Sequence, residues 1–428
     1  MFFDTIDSPA RRTAPPMRAH AAHAPMGALR TAEVCVVGAG YAGLSAALHL
    51  TQAGYDTVVL EAKTVGAGAS GHNGGQVMPG FAADPHALLD SLGARQASAL
   101  WALSVEAVAK TRALAGAGCD IDPRVAIVAA DSTGHAEIER AVAVRRDMFG
   151  DRQIAMHDAS SLARAVAVAN QHGGAIDARA FALAPRKYVQ SLAMRVREAG
   201  ARIHEASPAL RLSRANGLWT VETPTGCVRA AHVVLAANID NAGLAPNADR
   251  LAAPVRTFML ETAPSPLVGQ ALAGVAAGYD TTASLHYFRR TADGRLQFGG
   301  GGWPGRIAPP LADMYLRREM ARVFPQLAQL PVVRQWSGLV DVTTDGLPRF
   351  ARADGLIRLL GFCGHGIALA TLAGQLVADA IDDQSDRLAL FTRLDQKRNW
   401  PTAAGRTAQL AIQSFAPSMA RFLKLASA

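Results

Sequence analysis

The chain has 428 residues, enough for two or three domains at roughly 150 residues each, and half are apolar while 18% carry charge. Such figures exclude a disordered chain and a small stapled scaffold. The formal charge is +8, from 43 basic and 35 acidic side chains. Only five of the bases are lysines, and the arginines pair up locally, as at Arg145–Arg146 and Arg289–Arg290. A nucleic-acid footprint needs a clustered stripe, so no nucleic-acid partner is expected.

Residues 1–30 hold four prolines, several arginines and no apolar core, which predicts an extended arm rather than a signal or anchor. Glu33 to Val37 is a β-branched run, followed by Gly38-Ala39-Gly40-Tyr41-Ala42-Gly43 and an apolar helical pattern that Gly54 ends. Asp56 to Glu61 is a second strand with an acid at its carboxyl end, which completes a βαβ unit. Thr64 to Phe81 is too glycine-laden for a helix and too regular for a linker. A helix over Pro85 to Ala117, a strand over Ala126 to Ala130 and a helix over Ala136 to Phe149 follow.

Pro185 to Ala199 is a predicted helix leading to a strand at Arg202 to Glu205. Leu210 to Ser213, Trp219 to Thr223 and Val228 to Arg229 read as a meander turning at Asn216-Gly217. Val233 to Ala237 is apolar throughout, as in the middle of a parallel sheet. Strands at Arg256 to Glu261, Leu285 to Arg290 and Leu296 to Gly299, with a helix over Pro310 to Phe324, suggest an antiparallel sheet. A last strand, Ile357 to Leu360, meets Gly361-Phe362-Cys363-Gly364-His365-Gly366 and a long helix. That helix, Gly366 to Ile381, is interrupted by Gln375 and Asp379 and is too short to span a bilayer. Cys35, Cys119, Cys227 and Cys363 lie far apart without a C-x-x-C pair, so neither a metal site nor a disulfide framework follows, and a reducing cytoplasm fits.

In G-x-G-x-x-G the glycines permit a tight turn, backbone approach to a pyrophosphate and close helix packing, with the anion at the helix N-terminus. Glu61 lies 23 positions after Gly38, the spacing of an acid that takes ribose hydroxyls and repels a ribose phosphate. The second glycine loop offers backbone donors beyond the first pyrophosphate contact, which favours FAD over NAD. The terminal G-F-C-G-H-G adds a second helix N-terminus, suited to the pyrimidine side of a flavin. The fold expected is α/β, a discontinuous Rossmann-like FAD-binding domain beside an antiparallel-sheet α+β substrate domain. The FAD domain takes residues 31–84, 151–250 and 333–387, and the substrate domain 85–150 and 251–332. Residues 388–428 form a helical tail with apolar spacing at Leu410, Phe415, Phe422 and Leu425.

Together VCVVGAGYAGLSAALHL, GAGASGHNGGQ, YFRRTADGRLQFGGG, WSGLVDVTTDGLPRF and GFCGHGIALATLAGQLVADAI resemble the D-amino-acid oxidase and glycine oxidase superfamily, and within it the gamma-glutamylputrescine oxidase branch. The resemblance covers residues 30 to 385. It implies oxidation of an amine C–N bond by hydride transfer to flavin N5, with an imine that hydrolyses to an aldehyde. Expected cofactor contacts are Gly38, Gly40, Tyr41, Ala42 and Gly43, then Glu61, Ala62 and Lys63. In the second loop they are Ala69, Ser70, Gly71, His72, Asn73, Gly74, Gly75 and Gln76, with Ala236 beside them and Gly364, His365, Gly366 and Ile367 in the terminal motif. His72 and His365 are placed nearest the chemistry. A noncovalent FAD is expected, with a covalent link through His72 as the alternative.

Departures from the family narrow the substrate. Sarcosine-oxidising relatives grip a carboxylate with an arginine and a lysine where this chain has Gln76 and Ala368, so a plain amine or polyamine derivative fits better than an α-amino acid. Arg289, Arg290 or Arg349 remains available for a distal carboxylate. Gln297 stands where those relatives carry an oxygen-activating lysine, which leaves oxygen or another electron acceptor open. Trp303 and Trp336 are candidate pocket walls, with core packing as the alternative. The other functional readings are an amino-acid oxidase or dehydrogenase and, remotely, an RNA-binding flavoprotein.

Overall fold

The computed structural model describes residues 28–245, 251–303, 309–384 and 387–394, which carry two sheets. Most of the predicted arm and the four apolar tail positions lie outside the described residues. The chain opens in the first sheet with β1 (Ala28–Val37), α1 (Tyr41–Gln52) and β2 (Thr57–Leu60). The second sheet then begins with β3 (Gln76–Val77), followed by α2 (Pro85–Ala115), β4 (Asp122–Val128), α3 (Ser132–Asp147), β5 (Ile154–His157), α4 (Ala159–Ala165) and β6 (Gly174–Ala182). Helix α5 (Pro185–Glu198) returns the chain to the first sheet at β7 (Arg202–His204), β8 (Arg211–Ala215), β9 (Leu218–Thr223) and β10 (Gly226–Leu235).

The second sheet is completed by β11 (Ala253–Thr262), α6 (Pro266–Ala271), β12 (Ala277–Asp280), β13 (Tyr287–Arg290), β14 (Leu296–Trp303), α7 (Pro309–Val323) and β15 (Val332–Val342). The last crossing leads to β16 (Arg349–Ala353), β17 (Leu356–Leu360), α8 (Gly366–Ile381) and the short α9 (Ala389–Thr392).

In the first sheet the order is β16-β17-β10-β1-β2-β7, with β9 and β8 attached to β10. Strand β1 pairs in parallel with both β2 and β10. Val34 to Val37 are therefore covered on both faces, which is why they read as one apolar run. The predicted third meander strand and the apolar strand after it are a single strand, β10. Its start pairs antiparallel with β9 and its end in parallel with β17. The half-buried Arg229 and exposed Ala231 interrupt the apolar pattern that would have joined them.

The second sheet runs β15-β11-β14-β13-β12-β4-β6-β3, with β5 on β6. Here the pairing departs from the expected division: β3, β5 and β6 and nearly all of β15 fall in residues 31–84, 151–250 and 333–387, assigned above to the FAD domain, yet all four pair in the second sheet. For β6 the signal was hidden by Asp177, a charge in mid-strand that is buried against Arg145 at 2.6 Å. The two sheets meet at a helical layer where α1 crosses α8. A Cβ on Gly374 would lie 2.3 Å from the Ala46 nitrogen, so only glycine lets the helices approach this closely. Ser45 Oγ donates to the Thr371 carbonyl across the crossing. Both helices thus start on one side of the layer.

Candidate functional site

The first glycine motif closes on itself and on its neighbours. Gly38 has φ +105° and a Cβ there would sit 2.6 Å from the Ala236 carbonyl oxygen, which fixes glycine at the end of β1. Gly43 in the first turn of α1 approaches the Gly38 carbonyl closely enough to exclude any side chain. The α1 N-terminus at Gly40 has no side-chain cap of its own. Glu61, half-buried after β2, accepts the Ala39 N–H at 2.8 Å on one oxygen and the Lys63 N–H at 2.9 Å on the other. Burial pushes its carboxyl up, and the two backbone donors oppose that rise. Ala62 is exposed beside it.

The second loop is fastened to that helix. A short 3-10 turn, Ala69–Gly71, directs Ser70 Oγ to the Tyr41 N–H at 3.0 Å. Asn73 Nδ2 donates to the Ala69 and Ser70 carbonyls and the Tyr41 hydroxyl, while its Oδ1 accepts the Gly75 N–H at 2.8 Å. His72 Nδ1 lies 3.1 Å from the Gly68 carbonyl, and burial lowers its pKa. Past Asn73 the loop runs across the second sheet. Trp336 Nε1 donates to the His72 carbonyl at 2.9 Å, and a Cβ on Gly74 would lie 3.0 Å from the Tyr287 ring. Gln76 spends its amide on the Gly278 and Phe288 carbonyls, so it is a staple between loop and sheet.

The terminal motif completes the arrangement. Gly361, Cys363 and Gly364 all have positive φ, and the chain then enters α8 at His365, whose side chain does not cap the helix. His365 is half-buried; desolvation lowers its pKa to about 4, against a hydrogen bond with the Pro79 backbone that favours the charged form. Its Nε2 is buried with no partner among the described residues. Ile367 packs into the core behind it. The second loop therefore reaches the first motif through Ser70 and Asn73, and its continuation reaches the third motif through Pro79.

Register identifies the sheet face that this loop covers. Leu296 and Phe298 of β14 face the core under α6 and α7, so Gln297 and Gly299 face the other way, with Tyr287 and Arg289 on β13 and Met259 and Glu261 on β11. Arg334 and Trp336 of β15 pair opposite Glu261 and Met259. Gln297 bridges two charges: its Oε1 accepts from Arg289 Nη2 at 2.5 Å and its Nε2 donates to Glu261 Oε2 at 2.6 Å. Arg334 reaches the same carboxylate at 3.2 Å and lies over the Trp336 ring. Arg289 is 4% exposed; desolvation lowers its pKa to about 10, and its Nε has no partner among the described residues. A Cβ on Gly75 would stand 3.0 Å from that nitrogen. Two guanidinium groups and one carboxylate leave this covered face with one excess positive charge.

Glu261, Arg334 and Tyr287 were missed by the sequence reading. Their signal is the period-2 alternation of β11, β13 and β15, legible only once the face opposite Leu296 and Phe298 is known to be covered. Trp336, weighed in the sequence as pocket wall or core packing, is buried on this face under the His72 carbonyl; the Trp303 side chain lies outside the described residues.

The residues present fit FAD. Two helix N-termini whose N-cap residues supply no side-chain cap, a glycine cradle against Ala236, an acid that orders two backbone donors and an orphan imidazole nitrogen are what a dinucleotide with a second ring system would occupy. Comparisons with known proteins agree. A family model described as "DAO: FAD dependent oxidoreductase" matches residues 33–380. The gamma-glutamylputrescine oxidoreductase of Escherichia coli K12 is 30% identical over 384 residues, 88% of this chain and 89% of that protein. The probable oxidoreductase OrdL of Haemophilus influenzae is 31% identical over 383 residues, covering 86% and 87%. Among solved structures, glycine oxidase from Geobacillus kaustophilus has a TM-score of 0.71 at 22% identity, covering 83% of this chain and 95% of that one.

Proposed function

The chain belongs to the DAO family of FAD-dependent oxidoreductases, and from that premise we propose that it oxidises the C–N bond of an amine that carries a carboxylate away from the reacting carbon, as a gamma-glutamylated diamine does. The observation that carries this reading is Arg289, a buried guanidinium with an unpaired Nε beside Gly75 on a face with excess positive charge. A carboxylate there would complete its hydrogen bonding, each charge-assisted bond being worth about 1.5–3 kcal/mol. Gln76 and Ala368 offer no charge for an α-carboxylate, since Gln76 is engaged with the sheet and Ala368 is buried in α8.

We assign the cofactor contacts to the three motifs: Gly38 to Gly43 and Glu61 for the adenosine half, and the second loop and Gly364 to Ile367 for the flavin half. When bound, FAD supplies the acceptor for a hydride from the carbon next to nitrogen. The chain's own part is to hold the amine neutral and dry. His365 remains an uncharged imidazole at neutral pH, so it can accept or donate one hydrogen bond without bringing a charge to the site. Tyr287, Trp336 and Met259 supply an apolar surface for the methylene chain. Water then hydrolyses the imine to an aldehyde, and the nitrogen of a primary amine leaves as ammonia. Four unpaired cysteines suit a reducing cytoplasmic setting.

Anaerobic bleaching of the purified yellow protein tests the reading. Gamma-glutamylputrescine is expected to bleach it faster than putrescine, spermidine, sarcosine or D-alanine at equal concentration. Preference for sarcosine or D-alanine would replace this assignment with an amino-acid oxidase or dehydrogenase. Readmitting air then ranks oxygen against other acceptors by the speed of recolouring.

A further inference from the structure

The terminal motif is held from outside its own sheet. Asp341 is the penultimate residue of β15, where the chain leaves the second sheet for the first, and it is 3% exposed. Its Oδ2 accepts the Gly361 N–H, and its own carbonyl accepts the Cys363 N–H at 3.0 Å. The carboxylate therefore spans from substrate sheet to the loop that opens α8. No arginine, lysine or histidine among the described residues pairs with it. An unpaired buried carboxylate is costly, and packing alone would be served as well by a neutral acceptor.

We propose that Asp341 is a positioning residue for FAD: its carboxylate draws the Gly361 N–H inward while its backbone carbonyl holds the Cys363 N–H, and the pair of bonds leaves the backbone from Gly364 to Ile367 turned toward the cofactor. The loop conformation needs such a hold, because Cys363 sits at φ +53°, where a side chain is disfavoured. This inference rests on family membership and not on the substrate reading.

Around the carboxylate, the loop presents the Cys363 thiol and β16 the buried Arg349, which is paired with Asp345 at 2.8 Å. Strand β11 presents only Pro254 opposite it, and Thr343 on the outgoing chain is neutral. Burial pushes the Cys363 thiol up to about 12, so it does not titrate with Asp341. Desolvation raises the Asp341 carboxyl to about 6, against the loop N–H groups that pull it down. If the ionised form is the one that sets the loop, FAD binding lowers this pKa and releases a proton, so affinity rises with pH. The sign for folding is opposite. A carboxyl raised above its unfolded value contributes stability below its ordinary pKa, and that contribution is lost as pH rises through about 6.

The test is FAD affinity of the full chain, measured by flavin fluorescence between about pH 5 and 7.5. Wild type is expected to bind about tenfold more tightly at the upper end, with its midpoint near 6. D341N is expected to be about tenfold weaker at the upper end and to lose the step, while D341E weakens binding and keeps one. The unfolding midpoint of cofactor-free D341N at neutral pH should not fall below wild type, a readout that a merely structural carboxylate would lower. Wild-type affinity with a wild-type pH profile in D341N would overturn the proposal. If D341N does not fold, a flat wild-type profile overturns it by itself.

Discussion

At Arg289 the chain keeps a full charge almost out of water with one neutral side chain, Gln297, as its direct partner. Removing that charge should be felt by the substrate before it is felt by the fold. R289Q is predicted to lower kcat/KM for gamma-glutamylputrescine by roughly 10- to 150-fold, the equivalent of one lost charge-assisted hydrogen bond, with little effect on putrescine. Steady-state kinetics on the two amines check this, and equal losses on both would contradict it. His365 carries a second expectation. Desolvation lowers its pKa to about 4, so kcat/KM should show no step from this residue between about pH 5.5 and 8. Comparing wild type with H365N is the check, and a step that only wild type shows would refute it. Both residues stood in the sequence as candidates, but their roles were not legible there: nothing in YFRR distinguishes the buried Arg289 from Arg290, which pairs with Asp122 at 2.7 Å and is partly exposed.

Between elements, the α1–α8 crossing and the α3 anchor carry the mechanical load. G374A would thrust a Cβ against the Ala46 backbone, and overpacking of that kind costs about 1–3 kcal/mol. A matching fall in denaturant midpoint, accompanied by weaker FAD retention because both helix N-termini shift, is the expected outcome; an unchanged midpoint would show that the helices can part freely. On the second sheet, Arg145 of α3 holds Asp151 and Asp177, each at 2.6 Å and all three nearly buried. D177A leaves Arg145 with Asp151 and orphans the Arg179 and Ala180 N–H groups that Asp177 accepts, so it should cost about 1–3 kcal/mol in equilibrium unfolding. Element types were largely legible: the 3.6 periodicity of α5 is strong, and the glycines that bound the apolar runs of β1 and α1 delimit those elements. Strand β6 was not, because its mid-strand charge is satisfied by a helix that only the tertiary fold brings near, and β10 was read as two strands because one strand serves both a hairpin and a parallel sheet.

Across the whole molecule the chain passes repeatedly between two sheets, and the glycine loop from Gly68 to Gln76 joins them. That arrangement explains why motifs more than 300 residues apart in sequence can serve one ligand: Ser70 and Asn73 tie the loop to α1, and Pro79 beyond it meets His365 at the start of α8. The three motifs were visible as glycine patterns, and their convergence follows from the α1–α8 crossing. The covered charged face was not visible, because it is assembled from alternate residues of four strands. Among the described residues no helix is long and apolar enough to cross a membrane. A crystal structure of the FAD-loaded protein tests the account most directly. It should show the pyrophosphate over Gly38 to Gly43, the ribose at Glu61 and the flavin between the second loop and Gly364 to Ile367. A flavin bound away from either glycine loop, or with its ring out of reach of the Arg289 face, would contradict it.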